Sequence, residues 1–212
     1  MSAGSSDRLA HILRLAGIRD EAVLGAVGAV PREEFVPPEW SAHAYEDTPL
    51  PIPHHQVTTQ PSLIARMIEG LALEGRERVL EIGTGYGFQT ALLARLAEAV
   101  WSVERFSDVA EMARTHLARR GIDNAWVVVG DGTLGLAEHA PFDAIVVAAA
   151  FPRVPRPLVG QLAAGGRLVQ PLGSGGDERV VVFEKDEGEL REVAMLTHAH
   201  FVRLVGRHGF DR

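Results

Sequence analysis

Between Arg78 and Glu104 the chain reads RVLEIGTGYGFQTALLARLAEAVWSVE, and few folds can accommodate that stretch. Val79-Leu80-Glu81-Ile82 is a short, β-leaning apolar run that stops at Gly83-Thr84-Gly85-Tyr86-Gly87. Ala91, Leu92, Ala94, Leu96 and Ala97 then follow a helical pattern, and a second apolar run, Ala99–Val103, ends on Glu104. Strand, glycine turn, helix, strand and acid describe a nucleotide-binding βαβ unit. Glycines let the backbone turn sharply and come close to a ligand, and a helix N-terminus offers unpaired N–H groups. An acid at the tip of the second strand is placed to take the two hydroxyls of a ribose.

Spacing narrows the ligand. The dinucleotide fingerprint is G-x-G-x-x-G, and Phe88 occupies the place of its third glycine. Glycines fall instead at every second position, with Glu81 just before them. A carboxylate there is a poor neighbour for a pyrophosphate, because like charges repel at short range. It suits a ligand with a cationic amino acid end and no phosphate, which describes S-adenosylmethionine.

At 212 residues the chain is expected to form one domain over residues 7–212. Residues 7–75 read as an N-terminal helical cap carrying a substrate loop, and 76–212 as a Rossmann-like core. The N-terminus lacks a secretory pattern and no run of apolar residues is long enough to span a membrane, so a cytoplasmic protein with no membrane partner is expected. Cysteine is absent, which excludes disulfides, thiolate metal sites, a cysteine nucleophile and pyrimidine C5 methylation through a thiolate adduct. A net charge of −7 with no dense Lys/Arg run argues against nucleic acid as a partner. His54-His55 and His198/His200 lack companion acids at ligand spacing, so no metal is expected.

Along the chain, residues 1–6 are expected to be disordered, with helices from Asp7 to Gly17 and from Asp20 to Val30. Tyr45–Pro61 is rich in proline and weakly periodic, a long loop of the kind that carries function. A helix from Gln60 or Pro61, closed by Gly75, precedes the first core strand. Helices at Val109–Arg120 and Pro155–Leu162 alternate with strands at Trp126–Val129, Phe142–Val147 and Arg167–Pro171. The tail holds three strand-like runs, Arg179–Glu184, Leu190–Leu196 and His200–Val205, suited to an antiparallel edge. The pattern predicts an α/β fold with a doubly wound, mostly parallel sheet, whose ligands sit at the C-terminal strand ends.

Ordered across the chain are PREEFVP (31–37), DTPLPI (47–52), QVTTQP (56–61), VLEIGTGYGFQTALLA (79–94), VERF (103–106), GDGTLG (130–135), PFDAIVVAAAFPRVPRPLVGQLAAGGRLVQPLG (141–173) and FVRLVG (201–206). As a set they resemble the protein-L-isoaspartate O-methyltransferase family over about residues 8–206. The resemblance implies methyl transfer from S-adenosylmethionine to the abnormal α-carboxylate of L-isoaspartyl residues in damaged proteins and peptides, leaving S-adenosylhomocysteine. The ester then collapses to a succinimide that hydrolyses partly to normal aspartate. It also implies that Gly83 and Gly85 line the methionine end of the cofactor, that Glu104 binds the ribose and that Asp131-Gly132 contact the adenine. Glu81, Thr84, Gln89 and Arg105 complete the candidate cofactor residues. Thr59 takes the catalytic place beside the transferred methyl, and His55, Val57, Thr58, Ala149, Phe151 and Arg203 are the candidate substrate residues.

The loop departs from the family pattern, which reads roughly G-x-T-I-S: threonine stands for serine at 59 and valine for threonine at 57. That change motivates an alternative, a related carboxylate O-methyltransferase acting on aspartate of a dedicated peptide or on a small-molecule acid. Either reaction asks for alignment and exclusion of water rather than a general base, because a carboxylate is already ionised at neutral pH. Thr59 is expected to donate a hydrogen bond to the substrate carboxylate, with capping of the next helix as a second role. A monomer is expected.

Overall fold

A computed structural model describes residues 3–211. Its helices are α1 (Ala3–Leu15), α2 (Glu21–Ala29), α3 (Pro61–Leu71), α4 (Phe88–Leu96), α5 (Ser107–Arg119) and α6 (Arg156–Gln161). Its strands are β1 (Leu50–Ile52), β2 (Gln56–Thr58), β3 (Arg78–Ile82), β4 (Ala99–Glu104), β5 (Ala125–Val129), β6 (Phe142–Val147), β7 (Leu162–Leu172), β8 (Glu178–Asp186) and β9 (Glu189–Ala199).

Seven strands form one sheet in the order β5-β4-β3-β6-β7-β8-β9. β3 to β7 pair in parallel, while β7-β8 and β8-β9 are antiparallel. The parallel strands β3, β4 and β6 are buried almost throughout because both faces of the sheet are covered. On one face Leu63, Ile64, Met67 and Ile68 of α3, Leu92 of α4 and Leu9, Leu13 and Val27 of the first two helices share a cluster with Val79, Val146 and Val169. On the other, Leu80, Ile145 and Leu168 pack against Phe142, Leu158 and Leu162. The chain leaves β3 toward β4 and β5, then returns to β6 on the other side of β3. The connections after β3 and β6 therefore diverge, and a crevice opens at their C-terminal ends.

Several local expectations change. Ala3–Ser6, expected to be disordered, belong to α1, and buried Ser6 lies 3.4 Å from the Tyr45 hydroxyl; Met1 and Ser2 lie outside the described residues. α3 ends not at Gly75 but at Ala72, which takes a left-handed conformation with φ +52. The long loop before α3 contains an antiparallel hairpin, β1 paired with β2, turned through Pro53-His54-His55. Both histidines adopt positive φ there. The third tail strand is absent: Ala150 and Arg203 form a single bridge, and the tail from Phe201 crosses the C-terminal end of β6 instead of extending the sheet. No described helix is long and apolar enough to cross a membrane.

Candidate cofactor and methyl-acceptor site

The glycine turn closes the end of β3. Gly83, Gly85 and Gly87 all have positive φ, at +98, +54 and +93. Gly83 also runs close to the β6 connection, where an added Cβ would stand 3.3 Å from that of Ala148. Conformation therefore favours glycine, and the approach to Ala148 leaves little room for a larger residue. Glu104 at the end of β4 braces the turn: one carboxylate oxygen accepts the Gly85 N–H at 3.0 Å, the other the N–H groups of Arg105 at 2.8 Å and Phe106 at 3.1 Å. Three fixed bonds hold that carboxylate on the cleft wall and leave the oxygen bonded to Gly85 with room for about one further donor.

Glu81 occupies a different place from its neighbours in sequence. It is fully buried beneath the turn and does not line the cleft. One oxygen accepts from the hydroxyls of Thr90 at 2.5 Å and Ser102 at 2.6 Å, and Ser102 lies 2.5 Å from the Thr84 hydroxyl. Its other oxygen has no partner. Burial pushes the carboxyl up to about 7, against the pull of those hydroxyls and with the charge of Glu104 adding to the rise. The Glu81 carboxylate therefore links β3, β4 and α4 under the turn.

The opposite wall comes from the β1-β2 hairpin and the segment after it. Thr58 is buried, and Ile52, Gln56, Val57, Thr58 and Thr59 face a cleft of about 880 Å³ shared with Gly83, Thr84, Gly85, Gln89, Glu104, Arg105, Gly132, Ala149 and Arg203. One fully buried side chain sets this wall. Arg32 donates from its two terminal nitrogens to the carbonyls of Ala44 (3.0 Å), Glu46 (3.1 Å), Thr48 (3.1 Å) and Thr59 (3.2 Å). Desolvation lowers its pKa to about 10, with the charge of Asp47 acting the other way. Asp47 itself accepts the Ser62 N–H at 2.8 Å. The start of α3 is thus served by Asp47, and Gln60, not Thr59, is its cap residue.

The hairpin tip is tied across the cleft to α5. His54 Nε2 lies 2.9 and 3.0 Å from the carboxylate oxygens of Asp108, and its ring stacks on Phe106 at 4.1 Å. His198 Nδ1 likewise meets Asp177 at 3.0 Å. Each of these histidines thus meets one acid distant in sequence, and among the described residues no three of His, Asp and Glu converge as a metal site would require.

Gly132 lines the cleft, and a Cβ there would fall 2.3 Å from Ile82 Cγ2. Asp131 sits in an adjoining hollow with Arg105, Phe106, Val205 and Phe210. Its oxygens accept from the Thr133 N–H (2.9 Å), the Thr133 hydroxyl (2.6 Å) and the Arg207 N–H (2.7 Å). Burial would raise its pKa, but these donors outweigh it and hold the carboxyl below the usual range. Two expected substrate residues stand apart from the cleft. His55 is exposed at the hairpin turn, and Phe151 packs edge-on against Phe210 at 5.0 Å.

Sequence reasoning missed Arg32, Asp47, the His54–Asp108 tie, and Val202, Leu204 and Val205, which complete the cleft. Arg32 carried a signal in its place in PREEFVP, as did Asp47 in DTPLPI and Val202, Leu204 and Val205 in FVRLVG; His54 and Asp108 lie in none of these stretches.

The cleft suits an adenosyl amino acid on the residues present: left-handed glycines that admit close backbone approach, a braced acid at the end of β4, and a buried Gln89 amide nitrogen without a partner on its wall. A doubly wound sheet with this cradle at its switch point defines a Rossmann-like, S-adenosylmethionine-dependent methyltransferase. Within that class the chain belongs to the protein-L-isoaspartate(D-aspartate) O-methyltransferase family, whose description matches residues 4–209. A protein-L-isoaspartate O-methyltransferase of Methanoculleus marisnigri is 50% identical over 199 residues, covering 94% of this chain and 90% of its own. A solved protein-L-isoaspartate O-methyltransferase superposes with a TM-score of 0.85 at 30% identity, over 96% of this chain and 67% of the other. A Plasmodium falciparum protein solved with S-adenosyl-L-homocysteine shares the fold, with a TM-score of 0.82 at 23% identity, over 94% and 98% of the two chains.

Proposed function

We infer that this chain moves a methyl group from S-adenosylmethionine to the free α-carboxylate of L-isoaspartyl residues in damaged proteins and peptides. The observation that carries the reading is a single cleft that joins the glycine turn and Glu104 at one end to Thr58, Thr59, Ala149 and Arg203 at the other. S-adenosylmethionine supplies an electrophilic methyl on a sulfonium, and everything else is positioning by this chain. Gly83, Thr84, Gly85 and Gln89 hold the amino acid end, Glu104 the ribose, and Arg105, Asp131 and Gly132 the adenine. Glu81 acts from below, by fixing the turn.

The acceptor is ionised before it arrives, so no residue needs to take a proton. Thr59 donates its hydroxyl hydrogen to one carboxylate oxygen and leaves the other free to attack; Arg203 offers charge complementarity at the same end. Val57 and Thr58 wall the carboxylate, and the hairpin held by Arg32 excludes water while oxygen, methyl and sulfur come into line. On this reading residues 7–212 are one domain, working as a cytoplasmic monomer on polypeptides rather than nucleic acid, in keeping with a net charge of −7.

Repeated methylation of an isoaspartyl peptide tests the reading. With enzyme and S-adenosylmethionine the peptide should give methanol and, through the succinimide, a growing share of the normal aspartyl peptide. An isoaspartyl peptide that persists unchanged through many equivalents of cofactor would refute it.

A further inference from the structure

The tail folds back over the strand ends and, with the connection from β6 into α6, gathers positive charge on a chain that has 21 Lys and Arg against 28 Asp and Glu. Arg153, Arg156, Arg203 and Arg207 are all exposed, and among the described residues none forms an ion pair with a carboxylate. Arg153, Arg156, Arg207 and His208 line one groove of about 820 Å³, floored by Pro155 and Gly209. Arg207 also lines the adjoining hollow with two acids, Asp131, which accepts its backbone N–H, and Asp211.

This groove is coupled to the methyl-acceptor end of the cleft through aromatic contacts. The Arg203 guanidinium, on the cleft wall, lies over Phe210 at 5.1 Å; Phe210 meets Phe151 edge-on; and the Arg153 guanidinium lies over Phe151 at 5.5 Å. The backbone beneath is tightly fitted. A Cβ at Gly206 would fall 2.1 Å from Asp131 Oδ1, and one at Gly209 2.2 Å from the Leu204 carbonyl oxygen. Arginines without ion-pair partners, Arg207 on this close-packed turn and Arg153 and Arg156 beside it, keep their guanidinium forks available, and such forks match carboxylates.

Building on the isoaspartyl reading, we propose that the groove of Arg153, Arg156, Arg207 and His208 docks an acidic stretch of the substrate polypeptide flanking the residue whose carboxylate enters the cleft. The groove is then a specificity element that draws acidic segments, the kind a chain of net charge −7 would otherwise repel. Two or three exposed ion pairs of ordinary strength give a preference of about three- to tenfold in KM.

The test uses isoaspartyl peptides of one core sequence, with a Glu-Glu or a Gln-Gln pair walked outward on either side of the isoaspartyl residue. At one or more positions Glu-Glu should lower KM with kcat unchanged, and the gain should shrink as salt is raised. In the Arg153→Gln/Arg156→Gln double variant that gain should disappear while the Gln-Gln peptide keeps its kcat and KM, which also shows the variant is folded. Equal KM for both pairs at every position would overturn the proposal, as would a Glu-Glu preference that survives in the double variant. Turnover of the Gln-Gln peptide separates these results from failure of the isoaspartyl reading, in which no isoaspartyl peptide is methylated and both inferences fall.

Discussion

Replacing Glu81 by glutamine should change the pH dependence of stability more than its level. The carboxyl is fully buried and raised from 4.5 to about 7. A raised carboxyl binds its proton more tightly in the folded chain than in the unfolded one, so stability falls as pH rises between these values and levels off above about 7. At 1.36 kcal/mol per tenfold in proton affinity, the full cost of ionising Glu81 in place is about 3 kcal/mol. Linkage puts most of it, about 2–3 kcal/mol, between about pH 5 and about pH 8. Glutamine keeps an oxygen for the Thr90 and Ser102 hydroxyls and puts an amide where the carboxylate oxygen has no partner, which costs about 1–2 kcal/mol at every pH. That offset cancels when each protein is compared with itself. Urea denaturation of both proteins at about pH 5 and about pH 8 should show the parent losing about 2–3 kcal/mol more than the variant across the interval. Parallel pH profiles would refute the buried, proton-coupled role assigned to Glu81.

Glu104→Ala removes the acceptor of three backbone N–H groups along with the proposed ribose partner, and should weaken cofactor binding by about 1–3 kcal/mol in a calorimetric titration. Thr59→Val keeps the shape and loses the hydroxyl; kcat should drop about tenfold or more, the worth of one hydrogen bond made in the transition state, with cofactor affinity unchanged. Arg32→Lys keeps the charge but cannot span the carbonyls of Ala44, Glu46, Thr48 and Thr59, so unfolding should become easier by about 2–3 kcal/mol by denaturant titration. Gly132→Ala drives a methyl into Ile82 and should cost about 1–3 kcal/mol of stability, measured the same way.

What the sequence revealed followed from local rules. β3, β4 and β6 declared themselves because strands buried on both faces are apolar almost without interruption, and the glycine turn because positive φ selects glycine. What it concealed depends on distant contacts. The β1-β2 hairpin is two strands of three residues, with Pro51 inside one and no glycine at the turn, so alternation had no length over which to show. Arg32 reaches carbonyls 12 to 27 residues away, and no spacing rule links them. His200–Val205 is β-rich in composition but pairs with the β6 connection at one point, because the tail turns back over the strand ends and is bonded there through Asp131 and Thr133. Glu81 was noticed for its charge, yet its side chain points under the turn, a direction fixed by the pleat of β3 and the hydroxyls of Thr90 and Ser102.

The central claim is met most directly by methyl transfer from labelled S-adenosylmethionine to two peptides that differ only in one linkage, isoaspartyl in one and normal aspartyl in the other. Base-labile label should appear on the isoaspartyl peptide and not on its partner. Label on both, on the aspartyl peptide alone, or on neither while the cofactor binds would contradict the account.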